Sequence, residues 1–206
     1  SADNGGGISK GTGSLTLTDC VVSGNKATGV GGGIYQSTGT LTITNCVVSG
    51  NQAGTGGGIL SYGEGLISIT ETTISNNTAT VNGGGMYVYR SKLTLERSTL
   101  SGNTSVGIGG GVRLQLGSTT ILNSTISGNT SGSSGGGIYR FQGNTRIILS
   151  TITDNNAATG SGGIDVLCSG TDIGVKGSII WGNTRKGTIV DDVGECKGAY
   201  FSMGHN

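Results

Sequence analysis

The sequence predicts an all-β fold, a parallel β-helix of about seven coils of about 26 residues each. Three observations predict it. Triple glycines begin at Gly5, Gly31, Gly56, Gly83, Gly109 and Gly135, and a degenerate Ser161-Gly162-Gly163 follows; the steps are 26, 25, 27, 26, 26 and 26 residues. A second marker, an apolar residue followed two positions later by Gly or a polar residue and then by Asn, keeps the same beat. It places Asn25, Asn51, Asn77, Asn103, Asn129, Asn155 and Asn183 on steps of 26 five times and then 28. Finally, short runs alternate with period two and no segment has a useful helical period.

One copy, Gly31 to Thr55, holds three extended pieces: GGIY, LTIT and CVVS. Such a unit cannot bury its own apolar face, and stacking does it instead, each strand pairing with its equivalent in the next copy. The interior then reads column by column. The first strand supplies Ile8, Ile34, Ile59, Met86, Val112, Ile138 and Ile164. The second supplies Leu15/Leu17, Leu41/Ile43, Ile67/Ile69 and Leu93/Leu95, then Ile121, Ile147 and Ile173/Val175. The third supplies Val22, Val48, Ile74, Leu100, Ile126, Ile152 and Ile180. A long, narrow core of this kind lets a chain with 33% hydrophobic residues fold. Residues 1–183 form the repeats, and 184–206 are expected to close the same domain over the last coil.

The seven marker Asn residues read as a structural ladder. Asn tolerates the left-handed conformation of a corner, and stacked amides can bond from rung to rung. The triple glycines read as sharp turns with close backbone approach. They match neither GxxxxGK[ST] nor a GxGxxG set between a strand and a helix, so phosphate cradling is not expected. Net charge is +1, from 12 basic and 11 acidic residues, which argues against a nucleic-acid partner. No apolar run approaches the ~20 residues of a membrane helix, so direct membrane insertion is not expected. The sole histidine is His205, which excludes chemistry needing two from one chain.

The repeat resembles two families. GGGI at Gly31–Ile34 with Val48-Ser49-Gly50-Asn51 is similar to the passenger repeats of chlamydial-type polymorphic outer membrane proteins. Here Val, Ile or Leu stand where those repeats favour Phe. GGGIYQSTGTLTITN (Gly31 to Asn45) and NSTISGNT (Asn123 to Thr130) look like bacterial secreted β-helix proteins with CSLREA and choice-of-anchor domains. SIIWGNT (Ser178 to Thr184) and ECKGAYFSMGHN (Glu195 to Asn206) look like the closing segment of such a helix. The resemblance implies a right-handed parallel β-helix, export, and an extracellular or cell-surface role as scaffold or adhesin. It implies no defined activity, because the fold hosts lyases, hydrolases, adhesins and stalks alike.

Cys20 and Cys46 lie 26 apart, on equivalent positions of adjacent rungs. The ~4.8 Å rung spacing exceeds the ~3.8 Å Cβ separation of a disulfide, so both are expected as buried thiols. Their column continues inward as Thr72, Ser98, Ser124, Ser150 and Ser178. Cys168 and Cys196 lie where the repeat breaks, and a disulfide between them suits an exported protein. Neither pair has metal spacing; no metal and no cofactor are expected. Asp19, Glu64, Glu71, Glu96, Asp154 and Asp165 are scattered, and the Asp191, Asp192, Glu195 cluster reads as solvated, so no enzyme is expected.

Two outward surfaces remain. The first-strand face carries Tyr35, Tyr62, Tyr87, Tyr89, Tyr139 and Phe141, with Arg90, Arg113 and Arg140 among them. Tyr and Arg bring contact area with a polar end, which suits a glycan or a cell-surface protein as partner and makes a carbohydrate-binding or carbohydrate-active β-helix using this face the alternative reading. Gln36 and Arg140 fall on inward positions, so the alternation is expected to stop after the first two strand residues. The second-strand face shows Thr16/Thr18, Thr42/Thr44, Ser68/Thr70 and Thr94/Glu96, a weaker resemblance to ice-binding solenoids that decays at Arg146. The first coil opens at Gly5 with nothing to cover its edges, so further coils of the same chain or end-to-end self-association are also expected partners.

Overall fold

The computed structural model describes residues 2–189, 192–194 and 200–202. Strands stack in parallel into a β-helix whose coils repeat every 26 residues or so, with no helix among the described residues. Three sheets run along the rod. The first holds the strands that follow each ladder Asn, such as Gln52–Thr55 and Thr78–Asn82. The second takes two strands per coil, such as Ile59–Tyr62 and Gly65–Thr70. These two strands fuse into one in Ile138–Ile148 and again in Ile164–Lys176. The third holds the three-residue strands, Val21–Ser23 through Ile179–Trp181, and counts seven coils.

Each expected interior column is a register column. Ile34 pairs with Ile8 and Ile59, Ile43 with Leu17 and Ile69, and Ile74 with Val48 and Leu100. Their side chains form a single continuous core, with the inner coils fully buried. The strand after each Asn is a fourth strand per coil that the three-piece reading omits. It contributes only small inward residues, Ala27, Ala53, Ala79, Ser105, Ser131 and Ala157. Unequal glycine steps are absorbed locally. The 27-residue step appears as a bulge between Ala79 and Asn82 against Ala53 and Thr55. Two extra residues enter between Phe141–Gly143 and Leu167–Thr171.

The ladder is built as expected but its corner geometry is not. The amide N–H of Asn77 and its Nδ2 both donate to Asn103 Oδ1, at 3.0 Å each, and Asn103 Nδ2 donates to the Ile74 carbonyl at 3.0 Å. The same set recurs at every rung, and the inner Asn residues are completely buried. The left-handed residue is the one before the Asn: Gly24, Gly50, Asn76, Gly102, Gly128, Asp154 and Gly182 all have φ between 55° and 72°. The Asn side chain is therefore needed for its amide, while its neighbour makes the bend. The last rung, Asn183, donates from N and Nδ2 to Asp192 Oδ1 at 3.0 and 2.8 Å. Asp192 thus terminates the ladder rather than standing solvated; Asp191 and Glu195 lie outside the described residues.

The glycine triplets do what their pattern predicts. Gly31 takes φ +62°, and a Cβ on Gly32 would overlap the carbonyl oxygens of Gln52 and Gly57 in the next coil.

The small-residue column proves to be a second polar ladder. The Ser98 N–H donates to Ser124 Oγ and the Ser124 N–H to Ser150 Oγ, each at 3.1 Å. Every hydroxyl then donates to the carbonyl two residues back, as Ser124 does to Leu122 at 2.8 Å. Cys46 and Cys20 occupy its first rungs as free thiols, as expected. Cys196 and the side chain of Cys168 lie outside the described residues, and so does the bridge expected between them.

Candidate functional site

The outward side of the second sheet carries two parallel columns two residues apart. One runs Tyr35, Leu60, Tyr87, Arg113, Tyr139 and Asp165 in register. The other runs Tyr62, Tyr89, Gln115, Phe141 and Leu167. All seven sequence-selected residues, Tyr35, Tyr62, Tyr87, Tyr89, Arg113, Tyr139 and Phe141, therefore sit on one face, spread over five coils. The β-helix places them there because alternation on this strand persists to its end.

That persistence corrects the expectation for Gln36 and Arg140. Both point inward and are buried, at 1% and 0% exposure. Gln36 Nε2 donates to the carbonyls of Gly13 (3.1 Å) and Thr38 (2.6 Å). Arg140 donates from Nη2 to the carbonyls of Gly117 and Asn144, and from Nη1 to Thr119 Oγ1 at 3.5 Å. Arg140 is thus absent from the outward face. Its length fits because the interior narrows its neighbours: Thr119 and Thr145 replace the Leu or Ile found in other coils. Burial lowers its pKa to about 10.

On the face itself, Tyr62 and Tyr89 stack with ring centroids 4.7 Å apart and planes 17° from parallel. The Arg90 guanidinium lies 5.2 Å from the Tyr89 ring centre, and that of Arg113 lies 5.0 Å from Tyr87. Tyr87 Oη donates to Gln115 Oε1 at 2.7 Å, and Arg113 Nη2 donates to the same oxygen at 3.1 Å. Gln115 is the residue that sequence reasoning misses; its signal is its position two residues after Arg113 on an outward strand. Burial raises the Tyr87 phenol above its usual range. Burial, and then the Asp165 carboxylate, do the same for Tyr139. Both are therefore neutral hydrogen-bonding groups at pH 7.

Beside the stack, a hollow of about 300 Å³ is lined by Tyr35, Leu60, Tyr62, Tyr87, Val30 and Thr55, among others. Leu60 forms its floor: it faces outward yet is only 2% exposed, because the tyrosines close over it. The arrangement offers an apolar floor, aromatic walls and phenol and guanidinium edges. It can hold a ring-shaped ligand by stacking and by rim hydrogen bonds. Among the described residues that line it there is no carboxylate, thiol or imidazole.

A different pair of groups stands at the corner between the second and third sheets. Cys20 Sγ donates to the Thr18 carbonyl at 3.0 Å and Cys46 Sγ to that of Thr44 at 3.1 Å, so the two thiols hold the same pose on adjacent rungs. Cys46 is buried and Cys20 partly exposed. Burial pushes the Cys46 thiol up, against the opposing pull of the Cys20 N–H.

No curated protein and no solved structure matches the chain. One family model does, over residues 3–131, more than half the sequence; it covers the first five triplets, the Cys20/Cys46 corner and the Tyr/Arg face as far as Gln115. Its description is periplasmic copper-binding protein (NosD), and by that match the chain belongs to the NosD family.

Proposed function

We propose that this chain is a non-enzymatic, extracytoplasmic β-helix, a scaffold or adhesin segment that docks its partner on the Tyr/Arg face. The family's periplasmic description supports a location outside the cytoplasm. The observation that carries the docking role is the Tyr62–Tyr89 stack beside the Leu60 hollow. Half of Tyr62 is exposed to solvent, an arrangement the core does not require. A carbohydrate is the ligand class best suited to it, since a sugar ring stacks on tyrosine and its hydroxyls meet phenol and guanidinium groups. Among the described residues, Glu71 and Glu96, two carboxylates that approach one another, are both bonded to Arg97. A glycan array with the whole chain tests this. A hit lost at least tenfold in Tyr62→Ala and Tyr87→Ala is expected; a hit indifferent to both would place the ligand elsewhere, and an empty array would leave a protein partner for the same variants to test by pull-down.

The family's description also names copper. Among the described residues no three His, Cys, Asp or Glu groups converge, so they do not compose the nitrogen- and oxygen-rich set that suits Cu(II). The described donors that suit copper are the thiols of Cys20 and Cys46, soft ligands that select the monovalent ion.

A further inference from the structure

We infer that the Tyr/Arg face binds an acidic saccharide, a uronate-bearing chain that lies along the rod and sets a carboxylate on Arg113. The inference rests on the docking role proposed above and adds the charge and the direction of the ligand. Direction comes from the register column. Tyr35, Tyr87 and Tyr139 stand on every second rung, ~9.6 Å apart, with Leu60 and Arg113 between them. An extended saccharide ribbon turns the same ring face to one side at every second sugar, so a chain that follows the column stacks on one tyrosine after another. With one sugar over Leu60 in the hollow, the chain crosses Tyr87 and reaches Arg113 two rungs on.

Charge comes from what the Arg113 guanidinium lacks. Arg113 is partly buried, its guanidinium lies 5.0 Å from the Tyr87 ring centre, and Nη2 donates to Gln115 Oε1 at 3.1 Å. Its Nε is buried without a partner, and among the described residues Nη1 meets no acceptor. A guanidinium presents its N–H groups as a fork that matches a carboxylate, and one neutral amide oxygen meets only part of it. Arg90, over the Tyr89 ring, and Lys92, in register with Leu66 just past the bend, add two positive charges on the same side of the molecule. Among the described residues no carboxylate pairs with these three cations, since the ion pairs are those of Arg97 with Glu71 and Glu96. Asp165, two rungs beyond Arg113 in the column, accepts the Ser161 N–H at 2.9 Å. Glu64 stands exposed on the bend after Tyr62, in neither of those pairs. A row of tyrosines with unpaired cations set into it fits a ligand that is both ring-built and anionic. The tyrosines take the sugar faces, and Arg113 takes a carboxylate in charge-assisted hydrogen bonds.

The test measures binding of the whole 206-residue chain to oligosaccharides in matched pairs: oligogalacturonate, oligoglucuronate and oligomannuronate, each beside its carboxyl-reduced form. At least one acid should bind, with its reduced form about tenfold weaker, and Arg113→Gln should remove about tenfold from the acid and little from the reduced form. Arg90→Gln, at an exposed position, should give a smaller loss in the same direction, and added salt should weaken the acid alone. Circular dichroism and melting temperature confirm that both variants fold. Equal affinity for acid and reduced form would overturn the inference and leave the carbohydrate reading standing, as would a preference for the acid that both arginine variants retain. Binding by no member of any pair would overturn the inference together with the carbohydrate reading beneath it.

Discussion

Two kinds of corner hold this β-helix, and they solve the same problem in opposite ways. At the Asn corner every coil uses the same side chain, at the neighbouring corner a thiol or hydroxyl takes the same pose from coil to coil, and each acceptor serves the rung before it. At the corner between the two strands of the second sheet, each coil improvises. Gln36 reaches the Gly13 and Thr38 carbonyls; Ser61 and Ser91 meet at 3.2 Å, with Ser91 on the Gly63 carbonyl; Arg140 spans Gly117 and Asn144. The repeated corners fix the rung spacing. The improvised corner tolerates insertions, including the two extra residues before Thr171, and it borders the face that carries the tyrosines. Uniform hydrogen bonding thus makes the frame, and variation is confined to the side where a ligand can dock.

The sharpest way to break this comparison is to remove one ladder amide. Asn103→Ala removes the acceptor of the Asn77 N–H and of one Asn77 Nδ2 hydrogen, while the other stays on the Val48 carbonyl, and takes a donor from the Ile74 carbonyl inside the rod. At about 1–3 kcal/mol per orphaned group, the loss should be about 3–5 kcal/mol, read by urea unfolding. A change within error of zero would mean that the ladder only decorates corners held by packing.

The improvised corner predicts a change of the other sign. Arg140 carries a buried charge whose Nε has no partner, as has the neighbouring Thr145 hydroxyl. Arg140→Gln imitates Gln36 in the same register column and removes the desolvated charge. It should raise stability by about 1–3 kcal/mol, within the range seen when buried charged groups are replaced by uncharged ones of similar volume. Destabilisation would show that the guanidinium bonds are worth more than its desolvation. The hydroxyl ladder gives a smaller loss. Ser124→Ala takes the acceptor from the Ser98 N–H alone, since the Leu122 carbonyl still accepts the Arg97 N–H, and should cost about 1–2 kcal/mol. The smallest effect belongs to Leu149, which holds φ +50° with 60% of its surface in water. Asp19, Asn45 and Asn123 occupy the equivalent bend. Leu149→Asn should gain about 0.5–1 kcal/mol by easing a left-handed residue; an unchanged melting temperature would mean that its contact with Gly177 repays the strain.

What was legible in the sequence follows the same division. The interior columns, the Asn ladder and the thiol state of Cys20 and Cys46 all repeat at 26 residues, and repetition in phase is visible without coordinates. The strand after each Asn was not legible, because a segment such as Gln52-Ala53-Gly54-Thr55 buries only an alanine and carries no β-branched alternation. Asn in the left-handed region was a sound propensity applied one residue late; Gly50 makes the bend that frees the Asn51 amide to stack. Arg140 eluded the reading because a buried arginine without a carboxylate breaks the ordinary rule of burial. Only the pairing of Thr119 and Thr145 at leucine positions hints at the room it fills. Of the candidate face, the seven residues were readable from strand parity. The Gln115 bridge and the Leu60 floor were not, since both depend on which side chains lean together across rungs.

Native-state hydrogen exchange tests the central claim most directly, since the amide protons of Asn51, Asn77, Asn103 and Asn129 each end on a neighbouring Asn side chain inside the rod. The account predicts that these four protons exchange only through global unfolding, with one shared free energy, while the amides of Ser37 and Glu64 at the improvised corner exchange faster through local opening. Equal protection at both corners, or faster exchange at the four asparagines, would contradict it.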